Sequence, residues 1–217
     1  MATQPPVPPP PGPPVFQPPT FAGYGGVPGQ LVGVGFGPRL GARLIDIVVH
    51  TVIGFMAGIA LGIGLVLYAS ATHQSPQLLF ASISHRTVLT YVFSALGMVA
   101  YHSICESMHG STLGKLALSM TVVQEDGSPC GFGPAVIRNL AYFIDALFFG
   151  LIGYMAMQKS PQQQRYGDQW AHTIVAKRAL IPPQSLRDGG RFAVTLLLAI
   201  AVDGVFLLLG TLSGFLY

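Results

Sequence analysis

The sequence predicts an all-α polytopic membrane protein: three transmembrane helices, a re-entrant or fourth membrane segment, and a small cytosolic two-stranded β element. Three observations carry that expectation. Of 217 residues, 51% are hydrophobic and only 9% charged, which is too apolar for an ordinary soluble domain. Four apolar runs approach or exceed the roughly 20 residues that a helix needs to cross a bilayer. The lysines and arginines sort to one side of the membrane only if one of those runs fails to cross.

Residues 1–35 read as a disordered, proline- and glycine-rich leader. "QPPVPPPPGPPVFQPP" is too dense in proline for a helix or a central strand, so an extended polyproline-like chain is expected. It offers PxxP spacing to an SH3-like or WW-like partner, but that signal is weak and a plain spacer or disordered tail is the expected reading. No basic region with a short apolar core precedes residue 39, so the first span is expected to target the chain itself.

The first apolar run, 45–69, is entered through "RLGARLIDIVVH". Arg39, Arg43, Asp46 and His50 are spaced i, i+4, i+7 and i+11, within an arc of about 60° on one helix face. The arginines sit where long cationic side chains snorkel to the surface, while Asp46 and His50 lie deeper. An ionised aspartate in lipid costs about 2.5–3.5 kcal/mol on insertion scales. Asp46 is therefore expected to face protein, with Arg43 its local partner.

The second run, 87–105, leads into "ESMHGSTLGK". The glycines of this stretch are one residue too close for a phosphate-binding loop, and Leu116 stands where a magnesium-binding hydroxyl belongs. A structural turn is expected, built on Gly110, Thr112 and Gly114, with Lys115 at the membrane boundary. His102, Glu106 and His109 are spaced i, i+4 and i+7. That is a weak metal pattern, better explained by hydrogen bonds to water and headgroups, so no metal or cofactor is expected.

"MTVVQEDG" (120–127) and "HTIVAKR" (172–178) are short, β-branched and bounded by turn or charged residues, so each reads as a strand. If they pair, the third run, 135–157, begins and ends on the same side. Charge agrees. With four crossings and a cytosolic N-terminus, Lys159, Arg165, Lys177, Arg178, Arg187 and Arg191 fall outside, against the positive-inside rule; with a returning third run, only Arg86 does. Residues 179–217 form a linker and a last span, 192–216, carrying Asp203. With no basic neighbour in sequence, Asp203 must find a partner on another helix, stay protonated or line a polar path.

The opening pattern recurs. "RLGARLIDIVVHTVIGFMA" (39–57) and "RNLAYFIDALFFGLIGYMA" (138–156) match without gaps at eight of 19 positions, and each follows "GFGP". Repeats in membrane proteins often enclose a polar site, so Arg39/Asp46 and Arg138/Asp145 are expected to face one another across a buried interface. A faithful copy of the first span would also cross the membrane, which opposes the returning third run. In "SPQQQRYGDQWAHTIV", Asp168 reads either as a turn pinned to backbone or as a carboxylate at the cytosolic mouth.

"GFGPRLGARLID", "GSTLGK" leading into "VVQEDGSPCGFGPAVIRNL", and "QQRYGDQWAHTIVAKR" together resemble the RDD family of membrane proteins, named for one arginine and two aspartates. The resemblance covers residues 36–178. It implies that Arg39 and Asp46 are the family's arginine and first aspartate, and that Asp145 or Asp168 is the second. It implies transport of undefined ligands, with cation/proton antiport for some members. Two departures stand out: His172 occupies a position where members commonly have glycine, and Asp203 lies beyond the matched region.

Two functions follow. In one, the protein is a multi-pass plasma-membrane transporter with a cytosolic N-terminus, in which Asp46 and Asp145 alternately bind a cation or proton, Arg39, Arg43 and Arg138 hold charge at the cytosolic entrance, and His50, Asp168 and Asp203 are further candidates. Three spans make a poor pore, so a homo-oligomer in the bilayer is then required. In the other, the Arg/Asp pairs only lock helices and the leader recruits a protein partner to a scaffold. No nucleophile, base and oxyanion arrangement is legible, so no enzyme is expected. Cys105 and Cys130 have no redox spacing. The net charge of +3 is scattered without aromatic interleaving, which gives nucleic-acid binding no support.

Overall fold

The computed structural model describes residues 31–77, 88–187 and 189–213. The proline-rich stretch up to residue 30 and Arg86 lie outside them. Residues 31–35, grouped by sequence with the leader, are docked: Leu31 and Val34 are buried, and the Val34 N–H donates to the Val175 carbonyl at 2.7 Å.

The described residues include seven α-helices of five or more residues and two strands. The helices are α1 (Phe36–Thr72), α2 (Val88–Met108), α3 (Leu113–Ala117), α4 (Phe132–Asp145), α5 (Leu147–Lys159), α6 (Tyr166–Trp170) and α7 (Phe192–Leu212). The strands are β1 (Met120–Gln124), between α3 and α4, and β2 (Thr173–Lys177), after α6. Helices α1, α2 and α7 are long and apolar enough to cross a membrane, and α4 with α5 forms a pair bent by 116°.

The three long helices pack along one another with apolar side chains such as Phe55, Leu67, Val88 and Leu197 facing outward, as lipid-facing surfaces do. Tyr101, Cys105 and Ala199 form the core between α2 and α7. Thr90 at the start of α2 donates to the Gly210 carbonyl near the end of α7, and His109, just beyond α2, stacks on Phe192 at the start of α7, so these two helices run antiparallel. α1, at 37 residues, spans about 55 Å, well beyond a hydrocarbon core of about 30 Å, so an untilted α1 extends past the apolar layer.

β1 and β2 pair antiparallel, as expected from their composition, and the sheet closes a second core of Val34, Ala42, Met120, Val122, Ala135 and Val175. α4 therefore leaves from the sheet and α5 returns to it. The helix breaks after Asp145 because Phe148, Phe149 and Gly150 all take left-handed backbone conformations, with φ of 52°, 60° and 87°. This removes the tension left by the sequence repeat: the second copy follows the first as far as Asp145, then turns back where α1 runs straight on.

The repeat goes deeper than the matched stretch. Around α3–β1 and α6–β2, equivalent positions lie 53 apart, as Gly114 and Gly167 do. Gly110 and Gln163 are both left-handed (φ 82° and 54°), and so are Ser119 and His172 (φ 55° and 50°). Ser111 Oγ donates to the Met120 carbonyl, and its counterpart Gln164 donates to Thr173, the counterpart of Met120. Val122 pairs with Val175, its own equivalent, and Met120 with Lys177, the equivalent of Gln124. That register is what a two-fold relation through the Val122/Val175 pair requires. His172 thus sits where backbone conformation favours glycine, the residue that the family resemblance leads one to expect there.

Candidate functional site

The aspartates of the repeat do the same local job. Asp46 accepts from Thr112 Oγ1 at 2.7 Å and from the Gly114 N–H at 2.9 Å, holding the start of α3, where Thr112 is the N-cap. Asp145 accepts from the Tyr166 and Gly167 N–H groups, each at 3.2 Å, holding the start of α6. Unpaired N–H groups and the helix dipole make a helix start a good place for a carboxylate.

Gly114 and Gly167 permit the approach. A Cβ on Gly114 would collide with the Ala42 carbonyl, and one on Gly167 would lie 2.9 Å from the Arg138 carbonyl oxygen. The expectation that Arg43 neutralises Asp46 is thereby corrected. Arg43 turns instead to His102 Nε2 and to Met98 Sδ at 3.1 Å, and its guanidinium lies 3.9 Å from the Tyr142 ring centroid.

The arginines of the repeat converge on a third aspartate. Arg39 pairs with Asp168 Oδ2, and Arg138 Nη2 lies 3.0 Å from Asp168 Oδ1. Arg165 completes the ring at 3.7 Å. The two copies do meet at a buried polar interface, but through Arg39, Arg138 and Asp168, not through Asp46 and Asp145. Arg39 also donates to the Val34 and Gln163 carbonyls at 2.8 and 2.7 Å, tying α1 to the docked segment and the α5–α6 turn. The Arg165 N–H donates to Asp168 at 3.2 Å, so the backbone-pinned turn is present as well. Burial alone would raise the Asp168 carboxyl, but Arg138, then Arg39 and Arg165, hold it well below the ordinary carboxylate range.

Glu106 is the residue whose role the sequence did not disclose. Wholly buried, it accepts from Lys115 Nζ at 2.6 Å and Asn139 Nδ2 at 3.0 Å, and lies 3.4 Å from Arg138 Nε. Burial pulls the Lys115 ammonium below its ordinary value, against the opposing pull of Glu106. His102, Glu106 and His109 did mark α2 as polar here, but Arg138 and Asn139 are too distant in sequence to be named from it. No group of three or more His, Cys, Asp or Glu poised for a metal occurs among the described residues. Cys105 and Cys130 are free and buried, and burial pushes the Cys130 thiol up to about 11.

A cavity of about 380 Å³ opens between α1, α4 and α5 beside this network. Arg39, Arg43, Lys115, Arg138 and Arg165 line it with Asp46 and Asp145, and Phe36, Leu40 and Phe149 line it from the apolar side.

His50 and Asp203 are set apart from this network. His50 Nδ1 lies 2.8 Å from Asp203 Oδ2, and His50 Nε2 lies 3.1 Å from Ser94 Oγ, so α1, α7 and α2 each supply one member. Asp203 is wholly buried, and its Oδ1 has no hydrogen-bond partner among the described residues. Gly97 leaves it room, since a Cβ there would collide with that oxygen. Arg39, Arg43, Asp46 and His50 thus all turn inward along one stripe, but each finds its partner on a different element.

Spanning helices, a helix hairpin that turns back at a sheet, and a buried Arg/Asp network define a multi-pass membrane protein of the kind that the sequence motifs resemble. A family model described as "RDD family" matches residues 34–172, and the chain belongs to the RDD family. It is 38% identical over 66 residues to a "Proline-rich antigen homolog" of Mycobacterium tuberculosis (strain ATCC 25618 / H37Rv), covering 30% of this chain and 27% of that protein. It is 30% identical over 92 residues to a "Proline-rich antigen" of Mycobacterium leprae (strain TN), covering 40% of this chain and 36% of that protein. The matched stretches thus span about a third or less of these curated relatives. No solved structure matches the chain.

Proposed function

We propose that the protein is a small plasma-membrane transporter that moves a proton or cation, with His50 and Asp203 as its ionisable centre. The Arg/Asp network beside the sheet is its fixed frame. One observation carries this reading: a histidine and an aspartate meet at 2.8 Å among three spanning helices, and the second aspartate oxygen has no hydrogen-bond partner among the described residues. Ionisable groups inside a span are costly and face protein or a path for ions, and a His–Asp pair can gain or lose one proton without disturbing a wider charge network. A single three-helix bundle encloses no continuous path, so the reading calls for a homo-oligomer. By the positive-inside rule the sheet, with Lys115, Arg138, Lys159, Arg165 and Lys177 around it, faces the cytosol, as does the N-terminus. No catalysis is assigned.

The alternative, a non-transporting scaffold, draws on the saturation of Asp46, Asp145 and Asp168 by caps and arginines. The two readings part in proteoliposomes. Wild-type protein that dissipates a proton or sodium gradient, with loss of that flux in His50→Gln and Asp203→Asn at equal insertion, supports transport. A silent wild type sinks it and favours the scaffold.

A further inference from the structure

The cavity between α1, α4 and α5 carries more positive charge than its own carboxylates use. Asp46 and Asp145 line it, but their oxygens accept from Thr112, Gly114, Tyr166 and Gly167 at the two helix starts. Asp168 and Glu106, behind the wall, hold Arg39, Arg138 and Lys115. Arg43 lies within 4 Å of no carboxylate among the described residues; a neutral ring, a histidine and a thioether hold it. Buried donors remain: Arg43 Nε and, on a wholly buried residue, Arg138 Nη1 have no hydrogen-bond partner among the described residues, while Arg165 Nε lies 4.0 Å from Asp145 Oδ2. Unsatisfied buried guanidinium groups are costly, and a planar fork of such donors matches the oxygens of a phosphate.

We infer that this cavity is a binding site for a phosphate oxyanion, with the headgroup of an anionic phospholipid as its occupant. The mouth favours the lipid. Leu40 and Phe149 are exposed, and with Phe36 they frame the cavity where α1 and the α4–α5 turn present apolar side chains outward, so an acyl chain has a surface to follow. A volume of about 380 Å³ admits a headgroup. The site stands or falls independently of ion flux.

The test is native mass spectrometry of the full-length protein released from nanodiscs containing equal phosphatidylglycerol and phosphatidylcholine, followed by titration of the delipidated protein with inorganic phosphate. Preferential retention of phosphatidylglycerol is expected, falling about ten-fold in Arg43→Gln and staying at the wild-type level in the control Lys159→Gln. Tyr142→Leu, which removes the ring that steadies Arg43, gives an independent variant with the same expected direction. Arg43-dependent binding of inorganic phosphate with no preference between the lipids keeps the oxyanion site and assigns it to a free anion. Equal retention of both lipids together with no Arg43-dependent phosphate binding overturns it. So does a folded Arg43→Gln or Tyr142→Leu that binds like wild type.

Discussion

The polar groups beside the sheet and those within the three-helix bundle solve the same problem in opposite ways. Beside the sheet, four carboxylates, four arginines, a lysine and two helix starts interlock, and Asp168 alone meets three arginines. In the bundle, among the described residues, Asp203 meets one histidine, and one of its oxygens has no hydrogen-bond partner. A charge held by several partners is hard to neutralise without breaking structure; a charge held by one is easy to move. The difference teaches where to look for chemistry: most motif residues build the frame, while His50, at the end of the motif stripe, pairs with Asp203, which lies outside the matched region.

The largest expected effect breaks the frame. Arg138 is wholly buried between Glu106 and Asp168, so Arg138→Met leaves two buried carboxylates short of a partner. A loss of about 3–5 kcal/mol is expected, read as collapse of folded yield on size-exclusion chromatography. Asp46→Ala and Asp145→Ala each remove a carboxylate that holds a helix start, and each should cost about 1–2 kcal/mol, seen as a lower Tm in detergent. Equal losses sharpen the two-copy view; a loss in one alone breaks it.

Acid should weaken the frame by a known sign. Asp168 titrates in the folded state below its ordinary range, so its contribution is fully present above the unfolded value of about 4 and is lost as pH falls from there through the lower folded value. Thermal melts from pH 6 down to pH 3 should show Tm falling in wild type and falling less in an Asp168→Asn variant that has already lost the charge. The smallest effect is at the turn before β2. His172 is exposed and left-handed at φ 50°, so His172→Gly should stabilise the protein by up to about 1 kcal/mol, measurable as a small rise in Tm.

Much of the fold was legible because membrane helices are written in composition and the strands in β-branched clusters. The Arg39 to His50 stripe announced one inward face, and the repeat announced Asp46 and Asp145 as equivalents. Partners were less legible. Asp46 bonds to Thr112 and Gly114, more than sixty positions away, and Arg39 to Asp168, farther still, and no periodicity reports such pairings. The 53-residue relation between α3–β1 and α6–β2 was invisible because it survives in backbone conformation more than in identity: Ser119 and His172 share a left-handed φ and no chemistry. Asp203 was recognised as needing a partner, but His50 lies 153 positions away and was named only through the fold.

Proton flux and thermal stability, measured on one preparation of proteoliposomes for Asp46→Asn beside Asp203→Asn, test the division between frame and ionisable pair most directly. The expected result is that Asp46→Asn lowers Tm while its folded molecules still conduct, and that Asp203→Asn keeps a near wild-type Tm and conducts nothing. The reverse pattern, flux surviving in Asp203→Asn and vanishing in a stable Asp46→Asn, would contradict the account.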